Sequence, residues 1–313
     1  MDLIKFTVCK DSEISRVILF CNENGFTPRC VEDWHGGNMQ AALAWEEDKL
    51  VGVCPFFVRK ISEGRNKRNS LCGYFTSVAI SEVYRSQGIG SKLLKFVETN
   101  FGLDGLYVNS VRNDRAFLWY QKNGFKINSE IALFLKNTNK EIIRNDIFIR
   151  ELNCSILTSL DLSNQMITAF SEANKSFSGF EERDIDFWEK KMRFHYYREY
   201  NEYFLITLKK NFFQSYIIAS INSYPGRDQT VDVLEFAHNQ DQEFEFLLLG
   251  LNQLGRDKSI DTIRFPIDQN TYLASWLYDF GYHQGDTFSI LYNSLTHISE
   301  RSFPNRYFHF DYA

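Results

Sequence analysis

Residues Tyr74 to Glu98 read YFTSVAISEVYRSQGIGSKLLKFVE, and their periodicity changes halfway along. The first part alternates apolar residues at strand period, and the second repeats them at helix period. Between the two stands Arg85-Ser86-Gln87-Gly88-Ile89-Gly90. Two glycines at a helix start let backbone N–H groups converge on one point, where the helix dipole adds partial positive charge. The stretch predicts a strand, an anion-holding turn and a helix, and the turn is where the chemistry should be anchored.

Upstream, Ile4 to Cys9 reads as a short strand, and Glu13 to Gly25, after Asp11-Ser12, as a helix with a glycine stop. Phe26 to Asn38 is irregular, and its Pro28, Asp33, Trp34, His35 and Gly36-Gly37 suit a loop bordering a site. Met39 to Glu46 and Leu50 to Lys60 form two antiparallel strands around the turn Glu47-Asp48-Lys49. The basic stretch Arg59 to Asn69 reads as a solvated loop. Downstream, Ser91 to Asn100 continues the helix and Leu106 to Val111 is an apolar strand. Asn113 to Asn123 is a helix ended by Gly124, and Phe125 to Lys136 is closing strand material. An antiparallel start followed by alternating strands and helices indicates a mixed α/β sheet.

The polar run 137–147 carries the expected domain boundary. Beyond it, helical material spans Leu160 to Tyr197. Strands follow at Tyr203 to Leu208, Ser215 to Asn222 and Val231 to Ala237, then a helix at Glu243 to Leu254 and a strand at Ile260 to Pro266. A helix at Thr271 to Phe280 and a strand at Thr287 to Leu295 complete the series. A shift of 157 positions lays Asn113 on Asn270, Trp119 on Trp276 and Gly124-Phe125 on Gly281-Tyr282, which suggests an internal repeat.

The chain has 313 residues, 44% of them hydrophobic, enough for about two domains. Residues 1–145 carry 20 Lys plus Arg against 16 Asp plus Glu, and residues 146–313 carry 15 against 24. Neither half has the basic excess of a nucleic-acid binder. The cysteines Cys9, Cys21, Cys30, Cys54, Cys72 and Cys154 are irregularly spaced, with no Cys-x-x-Cys pair and no histidine cluster. They read as reduced, mostly buried thiols of a cytoplasmic protein, with no metal site. No signal sequence and no apolar run of membrane-spanning length is visible, so a soluble chain is expected.

VAISEVYRSQGIGSKLL resembles the acetyl-CoA-binding motif of GNAT-type N-acetyltransferases: Arg or Gln, two residues, Gly, one residue, Gly or Ala, between the central strand and its helix. NDRAFLWYQKNGFKI, Asn113 to Ile127, resembles the same family's second motif, Asn-x-x-Ala-x-x-x-Tyr-x-x-x-Gly-Phe. The resemblance implies an α/β (α+β) chain of two GNAT-like domains, each a mixed, mostly antiparallel sheet flanked by helices. Residues 1–140 would be the catalytic domain and 145–313 a degenerate second copy that shapes the acceptor site.

Coenzyme A presents a pyrophosphate, which the backbone amides of Gln87, Gly88, Ile89, Gly90 and Ser91 and the Arg85 side chain are expected to hold. By the resemblance, Val78 and Ile80 offer backbone groups to the pantetheine arm, and Asn113 touches the same arm. Taken alone, Asn113 would be an N-cap. Tyr120 would protonate the coenzyme thiolate, a general-acid role that suits a phenol; taken alone, it would be a packing residue between Phe117 and its aromatic neighbours. The general base stays open among Asp33, His35, Glu46 and a water.

The 157-residue shift lays Arg85, Gly88 and Gly90 on Gln242, Glu245 and Leu247, and Tyr120 on Leu277. An acidic turn without glycine repels a pyrophosphate, so the second half is expected to hold no coenzyme. Its acidic excess would favour a cationic amine if that face borders the cleft, and otherwise reads as a solvated surface. The aromatic run Phe194 to Phe204 could wall a pocket or simply pack, and the tail RSFPNRYFHFDYA is expected to dock. The expected activity is acyl transfer from acetyl-CoA to a small primary amine by direct attack, in a monomer or homodimer, since no cysteine stands in either motif as a relay. Transfer to a protein N-terminus or lysine and a non-catalytic acyl-CoA sensor are the alternatives. A dinucleotide dehydrogenase would need a parallel Rossmann unit, which the antiparallel opening disfavours.

Overall fold

The computed structural model describes residues 4–24, 39–62, 69–75, 78–138, 146–152, 159–175, 181–185, 187, 201–208, 213–222 and 228–295. The strands are β1 (Lys5–Val8), β2 (Met39–Glu46), β3 (Lys49–Ser62), β4 (Asn69–Phe75), β5 (Ala79–Ile80), β6 (Gly105–Val111), β7 (Lys126–Asn137), β8 (Phe148–Leu152), β9 (Asn201–Thr207), β10 (Tyr216–Asn222), β11 (Thr230–Ala237), β12 (Thr262–Asp268) and β13 (His283–Ser294). The helices are α1 (Ile14–Glu23), α2 (Ile89–Asn100), α3 (Arg115–Lys122), α4 (Leu160–Asn174), α5 (Asp241–Asp257) and α6 (Tyr272–Asp279). This is an α/β chain with mostly antiparallel strands flanked by helices.

It forms two compact units, and they are not its contiguous halves. Among described residues the first unit holds 4–61, 69–128 and 289–295, and the second is built on 129–288. The boundary expected at 137–147 lies largely outside the described residues. The chain passes into the second unit earlier, at Asn128/Ser129, and from Ile131 on β7 pairs with β12 of that unit.

In the first unit β1, β2, β3, β4 and β6 are neighbours in that order, and the end of β13 lies beside β6. β1–β2 and β2–β3 pair antiparallel, whereas β4 and β6 run parallel with Cys72 opposite Gly105 and Phe75 opposite Val108. On α2, Ile89, Leu93, Leu94 and Val97 recur at helix spacing and enter one core with Ala42, Ala44, Val51, Cys54, Phe56 and Phe75. Leu291 of β13 belongs to the same core. Tyr292 stacks on Tyr107 at 4.4 Å, and Leu295 N donates to Asp104 O at 2.9 Å. The last strand of the second half is therefore a working part of the first unit.

The second unit orders β8, β9, β10, β11 and β12, with β7 antiparallel to β12 from Ile131 opposite Asp268 to Asn137 opposite Thr262. β11 and β12 run parallel, as β4 and β6 do in the first unit. Phe236, Phe244, Leu247, Leu251 and Phe265 fill its core.

Several expectations shift by a few residues, and some change in kind. Of the basic stretch Arg59 to Asn69 expected as a loop, Arg59 to Ser62 belong to β3 and Asn69 to β4, and 63–68 lie outside the described residues. Arg59 is buried, its guanidinium carbon 5.2 Å from the Phe57 ring and 5.8 Å from the Tyr74 ring. Aromatic faces give a buried cation the partner that the charge-run reading overlooked. Strand β8 was not anticipated, and the helical material expected over 160–197 is helix α4 only to Asn174; the described residues 181–184 are not helical. Gly25, the loop 26–38 and the C-terminal tail 301–313 lie outside the described residues, as does the aromatic run before Asn201.

Candidate active site

The parallel pairing of β4 with β6 ends at Phe75 and Val108; beyond it the chain re-forms as β5, which pairs with β3 instead, Ala79 with Val53 and Ile80 with Gly52. β6 meanwhile continues to Val111. Two strands that share a ladder and then part leave backbone groups facing a gap. Val78 and Ile80, both half-buried, stand at this parting. The carbonyl of Ile80 accepts from Arg85 Nε at 3.1 Å.

A 3-10 turn over Glu82–Tyr84 leads to the glycine turn. Ser86 and Gly88 both take left-handed conformations, φ +65° and +78°. Gly88 is the N-cap of α2, where a Cβ would meet no neighbour within 4 Å, so glycine is required there by its dihedral and not by crowding. No side chain caps this helix and its first turn holds no acidic residue. The first intrahelical bond runs from Lys92 N to Gly88 O at 3.1 Å, which leaves the amides of Ile89, Gly90 and Ser91 without intrahelical acceptors. Ile89 is buried and anchors the turn to the core. Arg85 is exposed, and Gln87 Nε2 donates to Val83 O at 3.1 Å.

Gly90 answers to a different constraint. A Cβ there would stand 3.1 Å from Trp119 Cζ2, so the start of α2 packs against the indole of α3. Trp119 in turn meets Tyr120 edge to face at 4.9 Å. The two glycine-turn and helix motifs are thus in direct contact.

Tyr120 is buried, packed edge to face against Phe125 at 5.2 Å. Burial pushes its phenol well above the usual tyrosine range, and Cys54 and Tyr74 add to the shift. It therefore holds its proton across the neutral and mildly alkaline range. Cys54 is raised by burial as well, and the four described cysteines, Cys9, Cys21, Cys54 and Cys72, are all free thiols. A thiol kept protonated beside Tyr120 is a poor nucleophile.

Asn113 does not cap α3. The cap is Asp114, whose Oδ1 accepts from Ala116 N at 2.5 Å, while Asn113 is left-handed at φ +64°. Asparagine tolerates that region better than most side chains, so the asparagine shapes the approach to α3. Asp33 and His35 lie outside the described residues. Glu46 accepts a hydrogen bond from the Tyr84 phenol, at the far end of β2. Tyr84, Trp119, Cys54 and Tyr74 carry no site role in the sequence reading, since only the folded geometry brings Trp119 to Gly90, Cys54 and Tyr74 to Tyr120, and Tyr84 to Glu46. No group of three potential metal ligands occurs among the described residues. No described helix is long and apolar enough to cross a membrane.

The repeat is real at α3 and α6, whose starts are 157 residues apart, at Arg115 and Tyr272. Phe125 N donates to Tyr120 O at 3.2 Å, and Tyr282 N to Leu277 O at 2.9 Å; Gly124 and Gly281 are both left-handed. At the turn, however, the offset fails. α2 starts at Ile89 and α5 at Asp241, 152 residues apart, so Gln242, Glu245 and Leu247 lie inside α5 and form no turn. Only His238-Asn239-Gln240 join β11 to α5, a connection five residues shorter relative to that offset. Asp241 and Glu243 sit in the first turn of α5, and Glu243 accepts from Ser215 Oγ.

Residues 38–127 match the family model described as an acetyltransferase (GNAT) domain. No curated protein matches the sequence. Among solved structures, a conserved protein from Enterococcus faecalis V583, described as a probable N-acyltransferase, superposes with a TM-score of 0.71 at 11% identity over 94% of this chain and 73% of its own. A GCN5-related N-acetyltransferase from Anabaena variabilis gives 0.66 at 12% identity, covering 94% and 73%. A tandem GNAT protein from the clavulanic acid biosynthesis pathway gives 0.57 at 8% identity, covering 94% and 99%. At these identities the structures establish a shared fold.

Proposed function

We propose, from the premise that residues 38–127 are a GNAT acetyltransferase domain in a chain with the tandem GNAT fold, that it moves an acetyl or other small acyl group from coenzyme A to a small primary amine. The observation that carries this reading is the uncapped, acid-free start of α2 behind the left-handed Gly88, in the same unit as the buried Tyr120.

Coenzyme A, as cosubstrate, supplies the activated thioester. The amides of Ile89, Gly90 and Ser91 bind the pyrophosphate with the helix dipole behind them, and Arg85 adds a cation. Gln87 and Gly88 shape the turn, and Val78, Ile80 and Asn113 border the pantetheine arm. The amine attacks the acyl carbon directly: the carbon–nitrogen bond forms, the carbon–sulfur bond breaks, Tyr120 gives its hydroxyl proton to sulfur, the amine's proton leaves to water, and the Tyr120 phenolate takes a proton back from water. The raised thiol of Cys54 supports direct attack over a cysteine relay. The second unit holds no coenzyme of its own in this reading, because carboxylates already occupy the start of α5 and Leu277 stands where a proton donor would.

Calorimetric titration with acetyl-CoA tests the site. Wild type and Gly88→Asn, which keeps access to the left-handed region, should bind, whereas Gly88→Glu should not. Binding by Gly88→Glu as tight as by wild type would remove the turn from the site. Tyr120→Phe should still bind acetyl-CoA yet lose acyl transfer to a panel of amines by about 10²-fold or more. Equal transfer rates would favour a sensor over an enzyme.

A further inference from the structure

We infer that Glu46 is a positioning residue for the coenzyme turn, acting through the Tyr84 phenol, and is not the base that receives the amine proton; this rests on the coenzyme reading of residues 85–91. Tyr84 Oη donates to the Glu46 carboxylate. Glu46 and Lys49 are the last pair of β2 and β3, and Lys49 Nζ lies 5.4 Å from the centre of the Tyr84 ring. The end of this hairpin therefore grips Tyr84 by its hydroxyl and by its face.

The turn needs such a grip. Its backbone ties to the sheet end early, with Ile80 opposite Gly52 and Ser81 N donating to Val51 O at 3.0 Å. From there to Gly88 the chain is largely exposed, Val83 at 71%, and it passes through left-handed Ser86. Of the other side-chain hydrogen bonds here, Gln87 Nε2 to Val83 O stays inside the turn, and Arg85 Nε to Ile80 O reaches only β5, the strand that leads into it. Tyr84 thus provides the side-chain hydrogen bond from the turn to the β2–β3 hairpin among the described residues, immediately before Arg85.

The position of Glu46 also argues against proton abstraction. Cys54, which interacts with Tyr120, lies five residues along β3 from Lys49. At about 3.4 Å per residue that is roughly 17 Å of strand. A base must stand within about 3 Å of its proton or reach it through one water. The negative charge of Glu46 would oppose a pyrophosphate nearby, and the phenol and Lys49 both temper it.

Calorimetric titration with coenzyme A and with pantetheine, which lacks the pyrophosphate, separates the roles. Tyr84→Phe and Glu46→Ala should each weaken coenzyme A binding about tenfold, and the double variant should weaken it no further. Glu46→Gln keeps an acceptor oxygen and should stay within about threefold of wild type. Pantetheine affinity and the melting point of the free protein should not move. Coenzyme A affinity unchanged in all variants, or additive losses in the double variant, would overturn the anchor. If wild type fails to bind coenzyme A at all, the coenzyme reading falls instead.

Discussion

Gly90 lies so close to the Trp119 indole that a single added methyl group would stand 3.1 Å from Cζ2. The glycine that the motif assigns to an anion is thus also a packing residue, and it joins the helix that starts at the turn to the helix that carries Tyr120. A larger side chain must displace the indole or bend the start of α2. Gly90→Leu should cost about 1–3 kcal/mol of stability in urea without any ligand. Trp119→Phe should recover part of that loss when combined with it. An uncompromised Gly90→Leu would show that the indole moves freely, and loss of coenzyme binding in that variant could then be assigned to the turn alone.

The buried thiols predict an alkaline weakness. Burial raises Cys21 from 9.0 to about 11, and burial with Glu13 and Asp11 raises Cys9 to about 12; Cys54 is raised further still. Above pH 9 the unfolded chain releases these protons while the folded chain keeps them, so stability falls as pH rises from about 9 towards 11 and 12. Below pH 9 both states hold them and these groups add no slope. Urea midpoints between pH 7 and 10.5 should be flat and then fall, and Cys54→Ala should soften the fall. Tyr120, raised in the same direction, should put no alkaline limb near pH 9 on acyl transfer.

Gly105 faces Tyr292, where a Cβ would stand 2.4 Å from Cε2 and 2.6 Å from the hydroxyl oxygen. The stacked pair Tyr107–Tyr292 and the bond from Asn293 Nδ2 to Glu98 Oε1 at 3.1 Å hold the end of β13 in the first unit. Gly105→Ala should therefore destabilise that unit by about 1–3 kcal/mol, and Tyr292→Ala should relieve the clash in the double variant. Removing residues 289–313 should abolish acetyl-CoA binding although the deletion lies far from both motifs in sequence. Retained binding would show that β13 is dispensable to the site.

Local order was legible because it is local. The change of period at Tyr74 to Glu98 located α2 and its turn, and two spaced motifs located Tyr120. The assignment of β7 and β13 to units was not legible. Thr287 to Leu295 reads as an ordinary strand whichever unit it joins, and its partner β6 begins 178 residues before β13 does. The 157-residue offset misplaced the second turn for a related reason: a few matches fix a register only where no residues have been lost between them. Arg59 was misread because a charge run says nothing of which strand it extends.

In the second unit Arg183 and Glu235 form a fully buried ion pair, with Nη2 2.6 Å from Oε2 and Nε donating to Oε2 at 2.7 Å. Tyr216 Oη donates to Oε1 of Glu235 at 2.5 Å, and the guanidinium lies 4.4 Å from the Phe170 ring and 4.1 Å from the Phe187 ring. Charges taken out of water are tolerable only while both are present and their remaining sites are bonded. Arg183→Met and Glu235→Leu should each destabilise by about 3–5 kcal/mol, since each strands the other charge. The double variant should recover most of the loss, because two apolar side chains beside Phe170 and Phe187 strand no charge and leave neutral groups, among them the Tyr216 phenol and the Glu181 carbonyl, to satisfy. Denaturation of all three variants decides it. Additive losses would mean that the pair contributes more than its own desolvation costs, and that the second unit depends on it for stability.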